Sequence, residues 1–283
     1  MITAYSQTHV GQVRRGNEDH FLVVDTINGK ADALAEIREF DSSKKSVILM
    51  VSDGMGGAAA GEVASRLAVE TVRESVQTVK QPPPTEFIKH LTEALHKANA
   101  VIVEHAYSNP AMHGMGATAT LAGILGNEVF IGQVGDSRAY LLRGNEIRQI
   151  TKDQSFVGQL VEAGRITEEE AELHPRRNII LQALGSQEDL QVAVTSAKIY
   201  RGDYLLLCSD GLSAMVKKQE MASEVQSSSD VKDACNRLVE LANQRGGHDN
   251  ITVILARFDD EEFPAPPADN GIYFQVISEF PDL

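Results

Sequence analysis

Two apolar runs in this chain end in the same three residues. "VILMVSDG" (47–54) and "YLLLCSDG" (204–211) each place Ser, Asp and Gly after a short continuous apolar stretch of the kind that forms a fully buried strand. Any fold must therefore hide two strands and deliver Asp53 and Asp210 from their ends. One Asp-Gly is usually a turn, but its recurrence after two such strands points to a shared purpose. Two more carboxylates border apolar strands, Asp136 in "GQVGDSRAYL" and Asp249 in "GGHDNITVIL", and Glu18 and Asp19 adjoin another in "RRGNEDHF". Carboxylates that converge at strand ends repel one another and lose hydration unless a cation compensates. An all-oxygen ligand set suits magnesium, manganese or calcium better than zinc, and no HExxH pattern is present. Glycine next to Asp53 lets the backbone come close, which makes the carbonyl of Gly54 a further candidate ligand.

The rest of the composition narrows the partners. With 283 residues, one large domain is expected, and 42% hydrophobic residues suffice for its core. A net charge of −14 opposes nucleic acid and anionic membrane while suiting a site that gathers divalent cations. Cys208 and Cys235 are the only cysteines and have no CxxC spacing, so a disulfide framework and a thiolate zinc site are not expected and a reducing cytoplasm fits. No eighteen apolar residues run together, which speaks against a secretory leader or a membrane span.

Residues 57–78 and 86–107 carry helical patterns; in the second, Phe87, Leu91, Leu95, Ala98 and Ile102 recur at helical spacing. The triple proline 82–84 separates them and Thr85 is placed to cap the second, so a helical hairpin is expected. From Ala117 the texture changes to short strands, "ATATLAGIL", "EVFIGQVG", "SRAYLLR" and "EIRQIT", divided by Gly-Asn turns at Gly126 and Gly144, which reads as an antiparallel meander. A polar, helix-prone stretch over 153–174 follows, then strands at "QVAVTSAKI" and "DYLLLCSDG", a helix over about 230–244, and a strand at "NITVILARF". The class is α+β, with helices layered on sheet. After Phe258 come acidic residues, the breaker cluster "PAPPADNG" and the β-prone "IYFQVISEF". This divides the chain into a catalytic domain, 1–258, and an acidic, proline-containing tail, 259–283, whose β-prone run is open to three outcomes: a strand added to its own domain, a strand added to a partner, or a flexible end.

Taken in order, "RRGNED", "VSDGMGGAAAGEVAS", "GMGATAT", "GQVGDSRAYLL", "LLLCSDGL" and "HDNITVIL" resemble the motifs of the metal-dependent serine/threonine protein phosphatases, the PPM family or type 2C phosphatases, in their bacterial branch. The resemblance runs over residues 4–258. It implies a four-layer α-β-β-α sandwich of two antiparallel sheets flanked by helix pairs, with two manganese or magnesium ions at one edge and a third beside them. Carried over by motif, Asp53 bridges the two ions, Glu18 and the Gly54 carbonyl serve one, and Asp210 and Asp249 the other. Asp136 with Asp210 holds the third, Asp19 orients metal-bound water, and Arg14 grips the substrate phosphate. The implied reaction is direct hydrolysis of phosphoserine and phosphothreonine by a water that bridges the ions, in signal transduction that opposes bacterial serine/threonine kinases of the eukaryotic-like kind. Phosphorylated proteins, including such a kinase, are the implied partners, and a monomer is expected.

Met55 stands where eukaryotic members of that family carry histidine, so the general acid is unassigned. His248 is a candidate substitute, although a neighbour of Asp249 in a strand points the other way. Gln154 in "TKDQS" replaces a histidine frequent in relatives. His174, Arg176 and Arg177 in "HPRRN" read either as contacts to an acidic phosphoprotein or as solvated charge. The alternative functions are a phosphatase of an anti-sigma-factor antagonist and a catalytically dead module that binds phosphoproteins.

Overall fold

The computed structural model describes residues 1–25, 37–41, 46–76, 82–187 and 189–278. The chain opens with β1 (Ile2–His9), β2 (Asp19–Asp25), β3 (Arg38–Phe40) and β4 (Val47–Met55), followed by helices α1 (Ala58–Val76) and α2 (Pro84–Ser108). Then come β5 (Gly116–Ala117), β6 (Ala119–Leu125), β7 (Glu128–Val134), β8 (Arg138–Arg143), β9 (Glu146–Gln149), α3 (Phe156–Glu162) and α4 (Glu168–Glu172). The last elements are β10 (Ala193–Lys198), β11 (Tyr204–Cys208), α5 (Asp210–Ser213), α6 (Lys218–Ser227), α7 (Val231–Gln244), β12 (Ile251–Phe258) and β13 (Phe274–Ser278).

Among the described residues one sheet has the order β3-β1-β12-β11-β8-β9 and the other β13-β10-β7-β6-β4-β2, with β5 paired to β4; every pairing is antiparallel. The alternation of side chains explains why β4 and β11 are apolar throughout. In β4, Ile48 and Met50 pack with α1 and α2, whereas Val47, Leu49 and Val51 face the other sheet. In β11, Leu206 and Cys208 pack with α6 and α7, and Leu205 and Leu207 meet the first sheet's partner. Helix, sheet, sheet and helix thus form four layers with three apolar seams, as the family resemblance implies. Each large aliphatic or aromatic side chain hidden in a seam contributes about 1.5–3 kcal/mol.

Three local expectations need correction. Thr85 does not cap α2: Pro83 flanks the helix without a side-chain cap, and Pro84 opens it, where its missing N–H leaves nothing unsatisfied. The expected meander is two hairpins in different sheets. Gly126 (φ +60°) closes β6 on β7 in one sheet, and Gly144 (φ +53°) closes β8 on β9 in the other. Turn signals specify pairing across a two-residue loop, but not which sheet the next strand enters; residues 135–137 carry the chain across. The polar stretch 153–174 divides into α3, capped by Ser155, and α4, whose Thr167 and Glu170 form a capping box. Residues 77–78, expected at the end of the first helix, lie outside the described residues.

The segment after Phe258 packs on both sheets. Phe263 and Ile272 enter the seam between them, and β13 pairs with β10. Arg143 donates to the carbonyl of Gly271, and Arg148 donates to that of Ile272 at 2.6 Å while its guanidinium lies 4.9 Å from the Phe274 ring centre. The β-prone run in the tail therefore adds a strand to its own domain.

Candidate metal centre

The two sheets meet at one end where β2 begins, β4 and β11 finish and β12 begins, so four strand ends deliver Glu18, Asp19, Asp53, Asp210 and Asp249 to a common place. Asp19 and Asp53 are direct register partners across β2 and β4. Asp136 joins them from the turn that crosses between sheets. Arg14, on the exposed loop before β2, donates to Asp249 Oδ2 at 2.7 Å.

Short hydrogen bonds hold this arrangement. Asp19 Oδ2 accepts from Ser209 Oγ and from Thr252 Oγ1, each at 2.7 Å, which ties β2 to the opposite sheet. Asp53 is fixed through its backbone: its N–H donates to Thr118 Oγ1 at 2.9 Å and its carbonyl accepts from Thr118 N at 2.8 Å. Asn250 clamps the loop that bears Arg14, donating to the carbonyls of Val10 and Gly16 at 2.9 Å each and accepting from Glu18 N at 2.8 Å. Ser65 of α1 donates to the Glu18 carbonyl.

The electrostatics are those of a site short of positive charge. Burial, reinforced by the charges of Asp19 and Asp210, holds the Asp53 carboxyl well above the ordinary carboxylate range. Burial likewise pushes Asp19 up to about 7 against the opposing hydrogen bonds from Thr252 and Ser209, and Asp136 up to about 8 with Asp210 adding to the effect. Asp210 is raised by burial and by Asp249, and Glu18 chiefly by burial.

Among the described residues no three acidic, histidine or cysteine side chains already close into a ligand cage. Two other observations fit a divalent cation. Asp19 Oδ1 and Asp210 Oδ1 are buried oxygens without a hydrogen-bond partner. In addition, α1 presents a bare Gly61: a Cβ there would lie 2.0 Å from Glu18 Oε2 and 2.9 Å from the Gly54 carbonyl, so the glycine lets the Glu18 carboxylate and the Gly54 backbone lie side by side against the helix. Gly54 itself admits no side chain, since its Cβ would fall 2.1 Å from the Gly61 carbonyl oxygen. The donors are hard oxygens, matching magnesium or manganese.

The remaining sequence candidates make other contacts. The thioether of Met55, paired with Gly116, has no proton to give. The His248 ring covers Gly246, where a Cβ would stand 2.8 Å from its Nε2. His174 and Arg176 pack on Phe156, with ring centres 5.8 Å apart and the guanidinium 5.6 Å from the ring centre. Gln154 is buried, and its Oε1 accepts from Gly135 N at 2.8 Å. Thr118, Ser209, Asn250 and Thr252 escape sequence reasoning because each is a polar residue whose role comes from a strand distant in the chain. For Ser209, Asn250 and Thr252 the only signal in sequence is proximity to the aspartates, in "CSDG" and "HDNIT"; Thr118 has none.

The family described as Protein phosphatase 2C matches residues 30–256. The chain is 37% identical over 250 residues to the serine/threonine phosphatase stp of Listeria welshimeri, which spans 88% of this chain and 93% of that protein. It superposes on the serine/threonine phosphatase of S. agalactiae with a TM-score of 0.81 at 30% identity, covering 92% of this chain and all, 100%, of the other. The catalytic domain of the serine threonine protein phosphatase PstP, solved in complex with 2 manganese ions, gives a TM-score of 0.75 at 34% identity, with 92% of this chain and 100% of that one covered.

Proposed function

The chain belongs to the protein phosphatase 2C family, and on that premise we propose that it hydrolyses phosphoserine and phosphothreonine in proteins with the help of two divalent cations, manganese or magnesium. The observation that carries this reading is the pair of buried, partnerless carboxylate oxygens, Asp19 Oδ1 and Asp210 Oδ1, in the group of acidic residues at the end of both sheets. Asp53 would bridge the pair, Glu18 and the Gly54 carbonyl would hold one ion, and Asp210 and Asp249 the other, with Asp136 and Asp210 holding a third. When bound, such ions supply positive charge to the phosphoryl oxygens and a nucleophilic water near neutral pH.

The protein's own groups do the rest. Asp19, anchored by Ser209 and Thr252, keeps one oxygen directed at the site to orient water. Arg14 offers a planar, half-exposed guanidinium at the mouth of the carboxylate cluster, suited to two parallel hydrogen bonds with a phosphate. Neither Met55 nor His248 is assigned the proton taken by the departing serine or threonine oxygen. A serine or threonine phosphomonoester is made by a kinase of that specificity, so such a kinase, or its products, forms the opposing partner. The catalytic unit is assigned to residues 1–258, on which the remaining described residues pack. No helix among the described residues is long and apolar enough to cross a membrane. A reducing cytoplasm accords with two buried free thiols, Cys208 and Cys235.

The test is release of phosphate from a phosphothreonine peptide in EDTA, magnesium or manganese, with wild type beside Asp53→Ala. Metal-dependent release that the substitution abolishes is expected. Folded wild-type protein that releases none with either ion would instead be a phosphoprotein-binding module.

A further inference from the structure

The turn that carries Asp136 is pinned from beneath by a side chain that the phosphatase chemistry leaves unused. Gln133, near the end of β7, is 2% exposed. Its Nε2 donates to the carbonyl oxygens on both sides of Asp136, to Gly135 at 3.0 Å and to Ser137 at 2.7 Å. Its Oε1 accepts from Thr120 Oγ1 at 2.8 Å, and that hydroxyl also lies 2.8 Å from the Ser137 carbonyl. Only a primary amide offers two donors and one acceptor in a single planar head of this length. Glutamate would present oxygens to two carbonyls, and leucine would satisfy neither.

The network continues toward the other carboxylates. Ser137 Oγ is 2.8 Å from Thr118 Oγ1, and Thr118 Oγ1 accepts from the Asp53 N–H at 2.9 Å. Hydrogen bonds through Thr118 thus join the backbone of Asp53 to the side chain of Ser137, whose own carbonyl is held by Gln133. β7 itself does not depend on this side chain, because it is paired along its length with β6 and β10. What it holds is the turn, where Gly135 sits at φ +93° and strand pairing has ended; Gln154 secures the Gly135 end, accepting from its N–H at 2.8 Å and donating to its carbonyl at 2.9 Å, and of the two only Gln133 also reaches the Ser137 carbonyl.

We propose that Gln133 is a positioning residue: it fixes the 135–137 turn so that the Asp136 carboxylate faces Asp210 at the separation a shared cation requires. The inference rests on the reading that Asp136 holds a cation, and the test separates the two. Manganese binding to EDTA-stripped protein is followed by titration calorimetry for wild type, Asp136→Asn, Gln133→Leu, Thr120→Val and the double variant Gln133→Leu/Asp136→Asn. The thermal midpoint of each is recorded in EDTA.

Asp136→Asn is expected to remove the weakest class of manganese site. Gln133→Leu is expected to weaken that site by about tenfold or more, the range typical of groups that orient metal ligands, and to leave the tighter sites unchanged. In the Asp136→Asn background it should have no further effect on binding, which a general loosening of the fold would not produce. Should Gln133→Leu fail to fold in EDTA, Thr120→Val decides, since it removes only the hydroxyl that locks the amide and should weaken the same site. Asp136→Asn weakening the site while Gln133→Leu, or Thr120→Val in its place, leaves it at the wild-type value would overturn the positioning role. An unchanged isotherm for Asp136→Asn would overturn the reading of Asp136 as a ligand, and this proposal with it.

Discussion

Gly61→Ala sets helix propensity against metal binding, and the structure says which prevails. The substitution lies in the first turn of α1, where alanine is favoured over glycine by about 1 kcal/mol. Its methyl group would arrive 2.0 Å from Glu18 Oε2 and 2.9 Å from both the carbonyl carbon and oxygen of Gly54. The carboxylate end of Glu18 can swing aside, but the Gly54 backbone, met at under 3.0 Å, cannot move cheaply, so in EDTA the crowding is expected to outweigh the propensity gain. The methyl also pushes Glu18 Oε2 and the Gly54 peptide, the two groups assigned to one ion, away from their places. Manganese at about 100 times its Kd adds about 2.7 kcal/mol to the folded state of the wild type, or roughly 5–10 °C at about 2–4 °C per kcal/mol. A hundredfold loss of affinity leaves about 0.4 kcal/mol of that at the same concentration, about 1 °C. Thermal unfolding in EDTA and in manganese measures both terms. Gly16→Ala, where a Cβ would meet nothing within 4 Å, serves as the control and should keep the wild-type shift. A full manganese shift in Gly61→Ala would refute the assignment of Glu18 and the Gly54 carbonyl to one ion.

Two further outcomes are expected. The raised carboxyl pKa values of Asp19, about 7, and Asp136, about 8, with Asp53 raised as well, mean that the metal-free native state binds more protons than the unfolded chain, so its stability is fullest below about pH 4 for these groups and is lost as pH climbs through 7 and 8. Thermal midpoints in EDTA should therefore fall from pH 5 to pH 8 more steeply for wild type than for Asp53→Asn; equal slopes would refute this. Arg143→Met should cost about 3–5 kcal/mol in urea unfolding, because it strands Asp203, whose side chain is 0% exposed and receives Arg143 at 2.8 and 2.9 Å. Arg143→Met/Asp203→Leu should recover much of the loss, and no recovery would mean that the packing of Arg143 on Tyr200 matters more than the charge.

The carboxylates were legible in the sequence because each lies at the end of an apolar run, and a charge in that position has few reasons to be there. The apolar runs in turn revealed β4 and β11, since strands covered on both faces cannot alternate with polar residues. What periodicity could not supply was partnership. β7 and β8 are separated by three residues yet enter different sheets, and Gln133 looks like any polar interruption of a strand until Gly135, Ser137 and Thr120 surround it. The helix Lys218–Ser227 went unread because it buries only Met221, Ala222 and Val225 in an otherwise polar stretch, too thin a stripe to register. Asn250 was hidden for a related reason: its contacts reach back to the loop before β2, 232 residues earlier for Glu18.

The seam between the sheets also bears on when the protein can begin to act. β1 lies between β3 and β12, and Thr8 meets Thr252 across 244 residues of chain, so the first strand waits for nearly the last before its sheet is complete. Contacts of such long range make folding slow, because the loop must close before the pairing rewards it. A chain still on the ribosome, or a fragment lacking Ile251–Phe258, carries Glu18, Asp19 and Asp53 without the strand that brings Asp249 beside them. Assembly of the carboxylate cluster is thereby tied to the synthesis of β12, and a chain that stops short of it would lack Asp249 beside Asp53 and with it the power to erase phosphate marks.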